Sequence, residues 1–325
     1  MKRKVEHGMV GQQPICGQPL RNKLRLKLGI NCGFAINRFP EPEVWAQIVG
    51  ETLGLRYCQF VADLLNPFWD EEVISDQIAR IKDAVSRYGV IIETTFTSAF
   101  TRVNHLLHPD PLMRKMWFNW FKRFFELSSE LGAIGSGSHF GIMSVRDYND
   151  PKKRSELIRE GVKLWQALTR VACDAGLKFL MFEPMSIPRE MGETIAKARM
   201  LYEAVNENSA VPFLMCLDVD HGDAFSGEPR DSDPYAWLEE FGSISPVVHI
   251  KQSLEDKGGH WPFTEEYNRK GKIHPRKVIE ALERSGATEV TLTLEISHRE
   301  RRPFEDRVIS DLIESVKWWR AYVKE

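Results

Sequence analysis

The chain has 325 residues, of which 28% are charged, and its 44 basic side chains nearly balance 46 acidic ones. Such a balance offers no broad positive field for nucleic acid or an anionic membrane, and no apolar run approaches the roughly 20 residues that a bilayer span requires. Five scattered cysteines with no C-x-x-C pair argue against a disulfide framework or a structural zinc module and read as free thiols in a reducing cytoplasm.

Residues 1–23 show no periodicity and are expected to form an arm outside the core. They begin with the basic stretch Met1 to His7, which lacks the apolar segment of a secretory signal. From residue 24 to residue 325 strand-like and helix-like patterns alternate without a break, which predicts one domain. The first strand is Leu24 to Asn31, and a helix follows over about Pro42–Leu53, closed by Gly54. Tyr57 to Ala62 is the second strand, with a helix near Asp70–Tyr88 after it. The third, Val90 to Thr97, leads through a long loop to an aromatic-rich helix near Pro111–Leu131. A glycine-rich fourth strand covers Ala133–His139, and the next helix runs from Pro151 to Ala175 and stops at Gly176.

Four short apolar runs follow, each ending on a side chain suited to a metal ion. They are Leu177 to Phe182 then Glu183, Pro212 to Leu217 then Asp218, Pro246 to Val248 then His249, and Val290 to Leu294 then Glu295. Helices are expected near Gly192–Asn206, Asp233–Phe241, His274–Ser285 and Pro303–Tyr322. Short unbroken apolar runs mark strands buried on both faces, as in a parallel sheet covered by helices. Eight strand–helix units fit a single (β/α)8 TIM barrel with an N-terminal extension, a fold whose usual length is about 250 residues. An open doubly wound sheet is the competing architecture, but no glycine-rich phosphate fingerprint opens any helix.

In a barrel, polar residues at the C-terminal ends of strands share the mouth where the chemistry sits. Glu183, Asp218, His249 and Glu295 are therefore expected to converge. Two carboxylates about 4 Å apart repel by roughly 4 kcal/mol at an effective dielectric near 20, so three together demand protons or a cation. Oxygen-rich ligation with one imidazole suits manganese, magnesium or cobalt, and tolerates zinc. Asp220 and Asp223 are rival ligands to Asp218.

The pattern Phe182-Glu183-Pro184, Asp218-Val219-Asp220-His221, His249-Ile250-Lys251-Gln252 and Leu294-Glu295-Ile296 resembles that of the xylose-isomerase-like TIM barrels, a sugar isomerase/epimerase family that includes the ketose 3-epimerases. The resemblance implies a divalent-metal-dependent sugar or sugar-phosphate epimerase or isomerase working through an enediolate. It implies that Glu183 and Glu295 move the proton on opposite faces of the substrate and that His221 contacts a substrate oxygen. Two positions depart from the 3-epimerases. Arg189 stands where the family places a substrate-binding Glu, with Glu190 beside it, and Glu255 stands where it places an Arg, with Lys257 two residues on. Arg189 and Lys257 therefore point to an anionic substrate, a short ketose phosphate such as a tetrulose phosphate or a sugar acid. His139 is a further candidate substrate contact. Asn31 and Glu93 are weaker candidates near strand ends, and Gly258 to Phe263 is a candidate lid. His105 and His108 are expected as solvent-exposed loop histidines.

Two other functions fit the same residues. One is a metal-dependent sugar-acid lyase, a dehydratase or decarboxylase. The other is a metal phosphodiesterase acting on damaged DNA, which the near-neutral charge disfavours. The aromatics of the 111–131 helix and Trp318-Trp319 exceed what one packing stripe needs, so a homo-oligomer is expected.

Overall fold

A computed structural model describes residues 23–255 and 258–324. The arm expected over 1–23 (except Lys23) and the candidate Lys257 lie outside the described residues.

Eight parallel strands close into a barrel. In chain order they are β1 (Arg25–Asn31), β2 (Tyr57–Val61), β3 (Ile91–Phe96), β4 (Gly135–His139), β5 (Phe179–Glu183), β6 (Phe213–Asp218) and β7 (Val247–Ile250), with β10 (Glu289–Leu294) last. Each pairs with its sequential neighbour, and β10 closes the ring against β1 through Arg25↔Glu289 to Ile30↔Leu294. The two strands between, β8 (Gln252–Leu254) and β9 (Gly258–Trp261), form an antiparallel hairpin outside the barrel. The segment expected as a lid is therefore one arm of this hairpin.

Helices cover the barrel. They are α1 (Pro42–Gln47), α2 (Glu71–Arg87), α3 (Pro111–Glu130), α4 (Val145–Asn149), α5 (Pro151–Ala175), α6 (Ile195–Asn206), α7 (Pro234–Phe241), α8 (Glu265–Asn268), α9 (Pro275–Ser285) and α10 (Val308–Arg320). Local chemistry sets their ends. Asp150 accepts from the backbone N–H groups of Lys152 and Lys153 to start α5, which stops at Gly176, whose φ of 90° is the left-handed cap that a side chain disfavours. The helix expected over 42–53 is α only to Gln47 and continues as a π-turn over Ile48–Thr52.

The core has two layers. Between barrel and helices, Phe182 stacks on Phe213 at 5.1 Å, and Trp165 packs against Phe213, Phe121 and Phe140. The aromatic helix spends Trp120, Phe121, Phe124 and Phe125 in this layer, each no more than 2% exposed. Burial of each such side chain is worth about 1.5–3 kcal/mol. Inside the barrel, Phe96, Met181, Cys216 and Val247 fill the space beneath the mouth. Deeper still, Glu93 accepts from Lys27 Nζ (2.6 Å) and Thr291 Oγ1 (2.5 Å). Glu93 thus belongs to a polar plug in the barrel interior, three residues short of the strand end where the sequence placed it. His105, expected in solvent, is fully buried, with its ring against Trp117, Phe121 and His139.

Candidate metal and active site

Parallel register brings four strand ends together. Asp218 is the Cα partner of His249, His249 of Thr293, and Leu294 precedes Glu295. Glu183 closes β5 opposite His139 of β4. Ligand atoms of Glu183, Asp218, His249 and Glu295 all lie within 4.8 Å of one another. His249 Nδ1 stands between two carboxylates, 3.0 Å from Glu183 Oε1 and 3.6 Å from Glu295 Oε2. Neither rival ligand replaces Asp218. Asp220 accepts from Ser253 Oγ (2.5 Å) and the backbone N–H of Gly259 (3.0 Å) and pairs with Lys272, while Asp223 accepts from Phe225 N–H in its own turn.

The other ring nitrogen of His249 is held from behind. Asn31 Oδ1 accepts from Gly33 N–H, which turns its amide nitrogen toward Gln59 and leaves Nδ2 donating to Gln59 Oε1 at 2.8 Å. The same Gln59 oxygen lies 2.7 Å from His249 Nε2 and accepts its proton. An imidazole that keeps its proton on Nε2 presents a lone pair on Nδ1 to the cluster, the arrangement by which outer partners orient metal-ligating histidines. Cys216 Sγ, 3.3 Å from Nε2, is inert here because burial pushes its thiol up to about 11.

Charge decides what this cluster accepts. Lys251, 1% exposed, donates to Asp218 Oδ2 at 2.5 Å and lies 3.8 Å from Glu295. Three carboxylates less one ammonium leave two negative charges to be met. Burial alone would lower His249, but the facing carboxylates of Glu295 and Glu183 outweigh it and hold the imidazole well above its ordinary range. Burial likewise favours a neutral Glu295, yet His249, His260 and Lys251 draw it well below the usual carboxylate value. In the protein alone the cluster thus recruits a proton, which meets one of the two charges; a divalent ion would meet both and displace it. Glu295 Oε2 is buried with no hydrogen-bond partner, although His260 Nδ1, His249 Nδ1 and Lys251 Nζ surround it at 3.3, 3.6 and 3.8 Å. Donor set, charge and orphaned oxygen all fit a metal ion.

Above the cluster lies a cavity of about 110 Å³ whose walls include Glu183, Glu295, His221, His139, His260 and Arg102. It opens beside a cleft of about 600 Å³ that shares Glu295, His260, Ser98 and Ala99 with it. His221 Nδ1 donates to the Pro184 carbonyl (3.1 Å), leaving Nε2 for the cavity. His139 is committed, its Nε2 donating to the Val103 carbonyl at 2.8 Å. Arg189 does not line the cavity; its guanidinium donates to the Met143 carbonyl and lies 4.0 Å from Glu190. Gln59, Lys251, His260 and Arg102 were not singled out from the sequence. The sequence carries a signal for two of them: an isolated Gln in the apolar strand Tyr57–Val61, and the period of two that puts Lys251 on the face of His249.

No family model matches the chain. The chain is 38% identical over 301 residues to D-erythrulose 1-phosphate 3-epimerase of Brucella abortus (strain 2308), covering 92% of this chain and 97% of that protein. Among solved structures, a protein provisionally named xylose isomerase from Rhodospirillum rubrum superposes with a TM-score of 0.82 at 27% identity, over 91% of this chain and 99% of that one. D-psicose 3-epimerase of Clostridium cellulolyticum H10, solved with D-tagatose, has a TM-score of 0.67 at 15% identity over 92% and 100% of the two chains, a likeness of fold.

Proposed function

The chain belongs to the xylose-isomerase-like sugar isomerase/epimerase family and is an isomerase-class enzyme, and from that premise we propose that it inverts the carbinol carbon beside the ketone of a short ketose phosphate. A tetrulose 1-phosphate is the first candidate, since the relative that is 38% identical is named for one and the inner cavity of about 110 Å³ suits a compact carbon chain.

The observation that carries the reading is the pair of glutamates flanking His249 Nδ1, with one cavity reaching both. Glu183, Asp218, His249 and Glu295 would hold a divalent ion, manganese first on this oxygen-rich donor set, with magnesium, cobalt or zinc as alternatives. When bound, the ion supplies Lewis acidity toward the ketone and its neighbouring oxygen, worth several kcal/mol.

The protein's own groups do the rest. One glutamate takes the proton from the carbon to be inverted, leaving an enediolate, and the other returns a proton to the opposite face. Glu183 and Glu295 fill these two roles, each typically worth about 10²–10⁴-fold. His221 Nε2 accepts from the substrate hydroxyl nearest the reacting carbon. Lys251 fixes Asp218 and keeps the cluster near neutrality. His139 shapes the wall, and Arg189 adds positive charge beside Glu190.

We also propose a homo-oligomer, on the exposed Trp318 and Ile313 of α10 beside Tyr322 just past its end, and a cytoplasmic setting, on four free cysteines among the described residues. No helix of the described residues is long and apolar enough to cross a membrane.

The test is D-erythrulose 1-phosphate in deuterium oxide, followed by NMR. Inversion at C3 with deuterium incorporation, abolished by exhaustive chelation and restored by manganese, is the expected result. Full turnover after chelation, or no exchange at C3, overturns the reading.

A further inference from the structure

Building on the ketose-phosphate reading above, we infer that Arg102, on the loop after β3, grips the substrate's phosphate and that buried Glu190 holds it in position to do so. Among the described side chains lining the cavity that contains Glu183 and Glu295, Arg102 is the only one with a charge that stays positive across the working pH range. A phosphate entering beside two carboxylates needs such a partner. Guanidinium offers five donors in a planar fork that matches phosphate oxygens in pairs. One of these donors is committed to Glu190, which is 4% exposed and cannot swing out; the rest are available, and the Arg102 side chain is 41% exposed.

Glu190 does not cancel the site. Arg189 lies 4.0 Å from its other oxygen, so two guanidiniums share one carboxylate and a net positive charge remains. Arg102 is also pre-positioned by its neighbours. Ser98 and Thr101 donate to Asp63 at 2.5 and 3.2 Å on one side, and the Val103 carbonyl accepts from His139 on the other. A loop tied on both flanks loses little freedom on binding.

The outer cleft holds two competing arginines. Arg38 is spent on Glu305 and the His298 carbonyl with its side chain 8% exposed, and Arg299 lies over the Phe304 ring beside Glu300. Neither reaches the cavity that Glu183 lines.

The experiment compares kcat/KM for D-erythrulose 1-phosphate and for unphosphorylated erythrulose in wild type, Arg102→Met, Arg102→Lys and Arg299→Met, with inorganic phosphate as a competing ligand. Arg102→Met is expected to lose between about 10- and 150-fold more on the phosphate ester than on the free ketose, the range of a charged hydrogen bond. Inorganic phosphate should inhibit it correspondingly less, and Arg102→Lys should recover part of the preference. The double variant Arg102→Met/Glu190→Gln, which leaves no orphaned carboxylate, should show the same discrimination. Equal losses on both substrates, or a shift in preference caused by Arg299→Met instead, overturn the assignment of Arg102. A wild type that turns over the free ketose but not the ester overturns the substrate reading itself, and this inference with it.

Discussion

Replacing Gln59 by leucine isolates the device that aims His249. Gln59 is 1% exposed, so no water takes the place of the lost acceptor, and His249 Nε2 keeps only the weak thiol of Cys216 at 3.3 Å. Loss of such an outer partner typically weakens a metal site 10–100-fold, or about 1.4–2.7 kcal/mol. Asn31 Nδ2 also loses its acceptor, so the fold should lose about 1–3 kcal/mol for each buried donor left unpaired. Isothermal titration of the metal-free protein with manganese measures the first quantity, and urea unfolding measures the second. Gln59→Glu, which retains an acceptor facing Nε2, should bind at least as tightly as wild type. Should Gln59→Leu bind the ion within about twofold of wild type, the imidazole is not oriented from behind. Equal weakening by Leu and Glu would trace the effect to packing.

Three further outcomes follow from the same geometry. Glu183→Gln and Glu295→Gln should each lower epimerisation by at least about 10²-fold, and the variant that retains the abstracting base should still exchange the C3 proton with deuterium oxide. Burial holds His139 down at about 4 against an unfolded value near 6.5, so the unfolded chain binds more protons in acid. The stability it contributes is present above about pH 6.5 and is lost as pH falls toward 4, about 2 kcal/mol by pH 5; denaturant melts of wild type and His139→Asn should converge along that slope. Gly137→Ala should destabilise by about 1–3 kcal/mol, because a Cβ there would lie 2.4 Å from the Phe96 ring and 2.8 Å from the Met181 carbonyl oxygen; thermal unfolding reads the loss.

The barrel and the meeting of Glu183, Asp218, His249 and Glu295 at its mouth were legible because each signal is local. An apolar run buried on both faces carries its polar residue at one end, and parallel pairing converts that position into a shared mouth, as Asp218↔His249 shows. What the chain concealed depends on partners distant in sequence. Gln59 is 190 residues from the histidine it serves, and Glu93 reaches Thr291 across 198 residues, which drew it into the interior. His105 is dry only because α3 lays Trp117, Trp120 and Phe121 over it. The hairpin of β8 and β9 was missed because strands of three and four residues carry too little periodicity to read. It nonetheless brings His260 to Glu295.

Barrel enzymes diversify by swapping the segments that follow each strand, one at a time, because each is normally rooted only in its own stave. Asp220 removes that independence here. It sits two residues past Asp218 on one such segment and ties down Ser253 and Gly259 on the next, where a side chain in place of Gly258 would put its Cβ 2.8 Å from the carboxylate. Any transplant into or out of this scaffold must therefore carry both segments together, and homologous recombination between them would yield progeny that have half a clasp.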